Sequence, residues 1–211
     1  MQLPVLRISF GPKEKILIPL FLVTGSFIIG VVAGALFLRF LDPVQHQELC
    51  SYLESFLRGT GTPTSGLTSS EKLLLWWLAL KIQLISLLLL WFSGLTVLGV
   101  PLILFVVGAR GFILGFTVGF LVKERAAEGI FLAVAAILPQ NLFYVPALLG
   151  AAIIAYYFSS FLLLGFGKGF NWYNFIVYTF LFVLIFLLLL VGTLVEAYLV
   201  PGVMRLVLLF S

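Results

Sequence analysis

Residues 101–122 read PLILFVVGARGFILGFTVGFLV, and this stretch gives the clearest indication of the fold class. It holds a single charged side chain, Arg110, and a helix that crosses a bilayer needs about 20 mostly apolar residues. Gly111, Gly115 and Gly119 recur at every fourth position, so they line one face of such a helix. Small residues in that register let a second helix pack closely. The stretch therefore predicts a membrane span with a helix-packing face.

The composition extends this prediction to the whole chain. Of 211 residues, 63% are hydrophobic and only 9% are charged, and the mean hydropathy is +1.24. Soluble domains carry about 25% charged residues, so lipid must be the solvent for most of this chain. We predict an all-α polytopic bundle in which residues 1–211 form one membrane domain. The net charge of +4 comes from scattered basic residues, which argues against nucleic-acid binding, and the one cysteine excludes an internal disulfide framework.

Hydrophobic segments and stop signals set the predicted organisation. The first segment carries Ser26, Gly30 and Gly34 at four-residue spacing, a second packing face. Gly99 and Pro101 give a helix-stop signal, which separates a second span from a third; the alternative is one kinked helix that ends near Arg110. Basic residues near the beginning predict a cytoplasmic N-terminal segment. The predicted parts are residues 1–15 (cytoplasmic), 16–38 (span 1), 39–71 (extracytoplasmic loop), 76–98 (span 2), 101–122 (span 3), 129–164 (broken segment) and 172–199 (span 5).

The broken segment, 129–164, is apolar but too long for one straight helix. Pro139 and Pro146 each remove a backbone donor, and Gln140 and Asn141 bring amides between them. We predict a half-helix, a break, and a span over residues 147–164, which gives five spans plus one half-helix. If the half-helix crosses fully, the C-terminal end returns to the cytoplasmic side.

Polar residues within the apolar segments are the candidate functional residues. Arg110 and Glu196 are candidates by default, because a charge inside a membrane is costly unless it is paired or hydrated. Gln140 and Asn141 join them at the predicted break, which resembles the discontinuous helices of transporters. A packing role and an ion or solute pathway both remain open.

The loop after span 1 predicts an amphipathic helix over residues 43–58, begun by the Asp42-Pro43 pair. Its helically spaced apolar residues are predicted to face a partner or the membrane surface; they are Leu49, Tyr52, Leu53 and Phe56. His46 and Cys50 lie four residues apart, but two ligands do not make a metal site, so we predict a solvated helix face and no metal or cofactor. The sequence shows no paired carboxylates, nucleophile–base arrangement or phosphate loop, which predicts a protein that is not an enzyme.

Three stretches carry a family resemblance. Residues 98–101 (LGVP), 110–122 (RGFILGFTVGFLV) and 138–142 (LPQNL), together with Glu196-Ala197 and Pro201, resemble the stage II sporulation protein M family of endospore-forming bacteria. The resemblance runs over nearly the whole chain. It favours the sporulation branch of the family over its generic relatives.

The resemblance implies a function that the residues alone do not. Members of that family are membrane scaffolds that work with stage II sporulation proteins D and P, which degrade peptidoglycan. The implied role is septal wall thinning and forespore engulfment, in the cell membrane at the mother-cell side of the sporulation septum. The alternative function is a transporter or channel that uses residues 138–146, Arg110 and Glu196. The glycine faces predict close packing either within one chain or in a homodimer.

Overall fold

A computed structural model describes residues 14–61, 69–164 and 172–199. The N-terminal segment 1–13, the connector 62–68 and Pro201 lie outside the described residues, so their predictions stay untested. The helices are α1 (Glu14–Phe37, followed by a 3-10 turn, Leu38–Phe40), α2 (Pro43–Gly61), α3 (Ser69–Gly94), α4 (Gly99–Ala136), α5 (Leu138–Leu164) and α6 (Trp172–Leu194, followed by a π-helical turn, Val195–Leu199).

Five of these helices are long and apolar enough to cross a membrane. They contain the segments Leu17–Phe40, Leu73–Gly94, Gly99–Ala126, Leu138–Leu163 and Trp172–Tyr198. The prediction of an all-α polytopic bundle is confirmed, and this is a membrane protein.

The turn between α3 and α4 separates two spans. Because α3 ends at Gly94 and α4 begins at Gly99, the alternative of a single kinked helix is wrong. A Cβ added to Gly99 would lie 2.0 Å from the carbonyl oxygen of Ser93, so the tight turn needs glycine there. The Ser159 hydroxyl of α5 donates to the carbonyl of Thr96 at 2.9 Å, which satisfies a turn acceptor from within the protein.

The prediction of a break between Pro139 and Pro146 is wrong. α5 begins at Leu138 and continues through Pro146 to Leu164, so this span starts earlier than residue 147. Pro139 lies in the first turn, where a backbone N–H has no helical acceptor and its loss costs little. The Asn141 side-chain amide donates to the carbonyl of Ile137 at 2.8 Å and stabilises the same turn.

A kink separates the third span from the half-helix that follows it. α4 kinks at Ala126, whose φ of 45° and ψ of −117° are non-helical, and helix resumes to Ala136. This returning half-helix rises about 15 Å, roughly half of the hydrocarbon core, so it does not cross. A Cβ added to Gly129 would lie 2.0 Å from the carbonyl oxygen of Leu121, which shows that the returning chain touches the backbone of the helix it has just left.

The bundle core is formed by α3, α4, α5 and α6, together with Val23 of α1. On α5, small residues face inward and are almost fully buried, including Ala151, Ala152 and Ala155. The Tyr178 ring of α6 stacks on Phe158 of α5 with the ring centroids 4.2 Å apart. Alanine lets the helices approach closely, and the aromatic rings fill space between α5 and α6.

The two glycine faces meet within one chain, between α1 and α4. A Cβ added to Gly30 or Gly34 would lie 2.1 Å from the carbonyl oxygen of Gly108 or Phe112, respectively. Conversely, a Cβ added to Gly115 would lie 2.0 Å from the carbonyl oxygen of Val31. Gly111 meets Phe27 in the same way at 2.3 Å, whereas a Cβ added to Gly119 would lie 2.9 Å from the flexible Leu38 side chain and 3.3 Å from the Cα atom of Ala35. Four residues forward on α1, from Gly30 to Gly34, correspond to four residues forward on α4, from Gly108 to Phe112. The two helices α1 and α4 therefore run parallel.

Candidate functional site

Arg110 is held by α3 from across the helix interface. Its Nε donates to Ser86 Oγ at 2.8 Å, and one terminal nitrogen donates to the Ile82 carbonyl at 2.9 Å and to Gln83 Oε1 at 3.2 Å. The same nitrogen also contacts Ser86 Oγ. These acceptors supply the hydrogen bonds that a guanidinium loses when it leaves water.

Glu196, the second charged candidate, forms its hydrogen bond with a different helix. The Tyr144 hydroxyl of α5 donates to Glu196 Oε2 at 2.5 Å. Within the described part of the chain, Arg110 makes no salt bridge with Glu196, although the two charged groups interact electrostatically over a longer distance. The contacts of Arg110 therefore join α3 to α4, and the contact of Glu196 joins α5 to the turn after α6.

Arg110 and Glu196 nevertheless line one cavity of about 220 Å³. Its wall includes all four intramembrane candidates, because Gln140 and Asn141 lie on the first turns of α5. Neighbouring helices form direct hydrogen bonds with both Arg110 and Glu196, so this arrangement gives the transport hypothesis no support. These hydrogen bonds instead join α3 to α4 and α5 to the turn after α6.

Sequence reasoning missed Gln83, Ser86 and Tyr144. Gln83 and Ser86 are three residues apart, so both lie on the α3 face that meets Arg110. Gln140 and Tyr144 are four apart, a helical spacing that signals a shared face. Pro139 and Pro146 hide this signal, because prolines inside an apolar segment indicate a helix break.

The α2 helix is attached to the end of the α4 span by polar side chains. His46 Nε2 lies 2.8 Å from Glu124 Oε1, and the Cys50 thiol donates to Glu124 Oε2 at 3.2 Å. The His46 ring also meets the edge of Phe120, with centroids 6.1 Å apart. Glu124 thus lies between two residues that were predicted to form a solvated face.

The residues predicted to face a partner divide into two groups. Leu49 and Leu53 are half-buried on the same helix face as His46 and Cys50, whereas Tyr52 is 73% exposed. The Phe56 side chain lies outside the described residues. The exposed face of α2 therefore carries Tyr52, with Glu48 one turn and Val44 two turns before it.

Glu124 should slow the alkylation of Cys50, the single thiol in the chain. Partial burial, and then the hydrogen bond to Glu124, raise the pKa of Cys50 above its ordinary value. Less thiolate is then present at neutral pH, so removing the carboxylate should lower the pKa and speed alkylation. With a chelator present, we expect Glu124→Gln to raise the maleimide labelling rate at pH 7.5 several-fold.

Labelling rates measured from pH 6 to 10 check this prediction. Glu48→Gln removes an exposed carboxylate from the same helix and should leave the profile unchanged. Equal profiles for Glu124→Gln and the wild type would show that Glu124 does not control the thiol.

Comparison with known proteins decides the family. The family model for stage II sporulation protein M matches residues 23–201. The chain belongs to that family. The resemblance found in the sequence is thereby confirmed, and membership indicates a role in sporulation for this membrane protein. The stage II sporulation protein M family is not known as an enzyme family. No curated protein and no solved structure matches the chain.

Proposed function

We propose that this member of the stage II sporulation protein M family is a non-enzymatic membrane scaffold. It recruits peptidoglycan hydrolases, the stage II sporulation proteins D and P, to the sporulation septum on the mother-cell side. Wall thinning and engulfment then depend on where the scaffold places these enzymes.

The observation that carries the proposal is the position of α2. It is an amphipathic helix outside the five spans, fixed to the end of α4 by His46, Cys50 and Glu124. Its exposed face presents Tyr52 beside charged and polar residues. Tyrosine is enriched at protein interfaces because it combines a large apolar ring with a hydroxyl. A surface of this kind, on a helix with a fixed orientation, suits the docking of an extracytoplasmic domain.

Deleting residues 44–56 tests this proposal in cells. Tagged hydrolases should no longer concentrate at the septum, while the deleted protein still fractionates with membranes because its five spans remain. A point variant, Tyr52→Glu, should weaken recruitment in the same direction with less disturbance of α2. Normal recruitment by the deleted protein would mean that recognition lies elsewhere.

A further inference from the structure

Three potential metal ligands converge where α2 meets α4. His46 and Cys50 lie one turn apart on α2, and Glu124 comes from the last turn of α4 before the kink at Ala126. One ligand atom from each residue lies within 4.8 Å of the other two. All three side chains are half-buried, so an ion from solution can reach them.

The three side chains are close enough together to bind one ion. Zinc bonds of about 2.0–2.3 Å to nitrogen, oxygen and sulfur hold neighbouring ligand atoms about 3.3–3.8 Å apart. His46 Nε2 lies 2.8 Å from Glu124 Oε1, Cys50 Sγ lies 3.2 Å from Glu124 Oε2, and Cys50 Sγ lies 3.7 Å from His46 Nδ1. These pairs use both nitrogens of His46 and both oxygens of Glu124, so side-chain rotations would bring one ligand atom from each residue, all within 4.8 Å of one another, to the metal.

We propose that His46, Cys50 and Glu124 bind one Zn²⁺ ion. The thiol releases its proton to solvent and binds as thiolate, Glu124 binds as carboxylate, and one imidazole nitrogen donates its lone pair. The two negative ligands balance the charge of the ion. A water molecule fills the fourth position. The mixed nitrogen, sulfur and oxygen set suits zinc better than magnesium, which prefers oxygen ligands.

The surroundings support an ion at this position. The negative charges of Glu124 and Glu54 and the positive charge of Lys123 act on Cys50 with opposite sign. The Phe120 ring covers one side of His46. A metal would replace two hydrogen bonds with three bonds that join α2 to α4. It would therefore fix the orientation of the helix that the proposed scaffold presents, although zinc binding itself does not depend on that function.

The single cysteine makes a sharp test possible. We expect the full-length protein in detergent, stripped with a chelator, to bind one Zn²⁺ per chain in competition with a chromophoric chelator. Because every labelled thiol is Cys50, Zn²⁺ should slow maleimide labelling at least tenfold, and Mg²⁺ at the same concentration should not. Cys50→Ser and Glu124→Gln should each weaken zinc binding at least tenfold.

Glu48→Gln, on the exposed side of α2, is the matched control and should bind zinc as the wild type does. Melting curves of the metal-free variants show whether each one folds. Zinc binding that is equal in the wild type and Cys50→Ser would overturn the proposal, as would wild-type labelling that zinc does not slow. Equal protection by Mg²⁺ would overturn the assignment of the site to zinc.

Discussion

Gly30→Ala should destabilise the protein strongly, because its new methyl group would lie 2.1 Å from the Gly108 carbonyl oxygen. The backbone of α4 cannot yield locally, so α1 must move away and lose contact along its length. Overpacking of this kind costs about 3 kcal/mol, which corresponds to a fall of about 6–12 °C in melting temperature. Gly115→Ala should behave alike, since its methyl group meets the Val31 carbonyl. Thermal melting in detergent measures both effects.

Gly25→Ala is the matched control in the same helix. A Cβ at Gly25 has nothing within 4 Å, and alanine favours helix over glycine by about 1 kcal/mol. This variant should melt at or slightly above the wild-type temperature. If Gly30→Ala and Gly25→Ala melt together, the close approach of α1 and α4 is incorrect.

Arg110→Leu is the second substitution with a large expected effect. It leaves Ser86 and Gln83 without their donor and removes the positive charge that acts on Glu196. We expect a loss of about 2–4 kcal/mol in stability. Adding Glu196→Gln should cost less in this background than in the wild type, because the uncompensated acid is then gone. Melting temperatures of the two single variants and the double variant measure this coupling.

Lys81→Leu controls for the loss of a basic residue from a span. The Lys81 side chain is exposed, with its Nζ 5.3 Å from the centre of the Trp77 ring, and its replacement should change stability little. Fully additive effects of Arg110→Leu and Glu196→Gln would contradict an electrostatic link across the cavity.

Local sequence signals predicted the helices well. Hydrophobic length marked the spans, and Gly99 with Pro101 marked the turn between α3 and α4, because these signals act within a few residues. The prolines of α5 indicated a break that the structure does not have, because proline is tolerated in a first turn and neighbouring groups can satisfy the freed backbone acceptors inside a membrane-spanning helix. The kink at Ala126 carries neither glycine nor proline, but it falls in the gap between the predicted span 3 (101–122) and the predicted broken segment (129–164).

Contacts between distant segments could not be predicted from the sequence. Four-residue spacing predicted the glycine faces, but spacing alone cannot say that the Gly30 face meets the Gly115 face of the same chain. Likewise, Glu124 is 74 residues from Cys50, so only the path of α4 brings them together. Arg110 could be chosen as a candidate, but its acceptors on α3 depend on how two helices are rotated.

Co-purification from sporulating cells, with mass spectrometry of the bound proteins, tests the scaffold most directly. The tagged wild-type protein should recover stage II sporulation proteins D and P, and Tyr52→Glu should recover less of both at equal membrane abundance. Recovery of the tagged protein without either hydrolase, under conditions that preserve membrane complexes, would contradict the scaffold proposal.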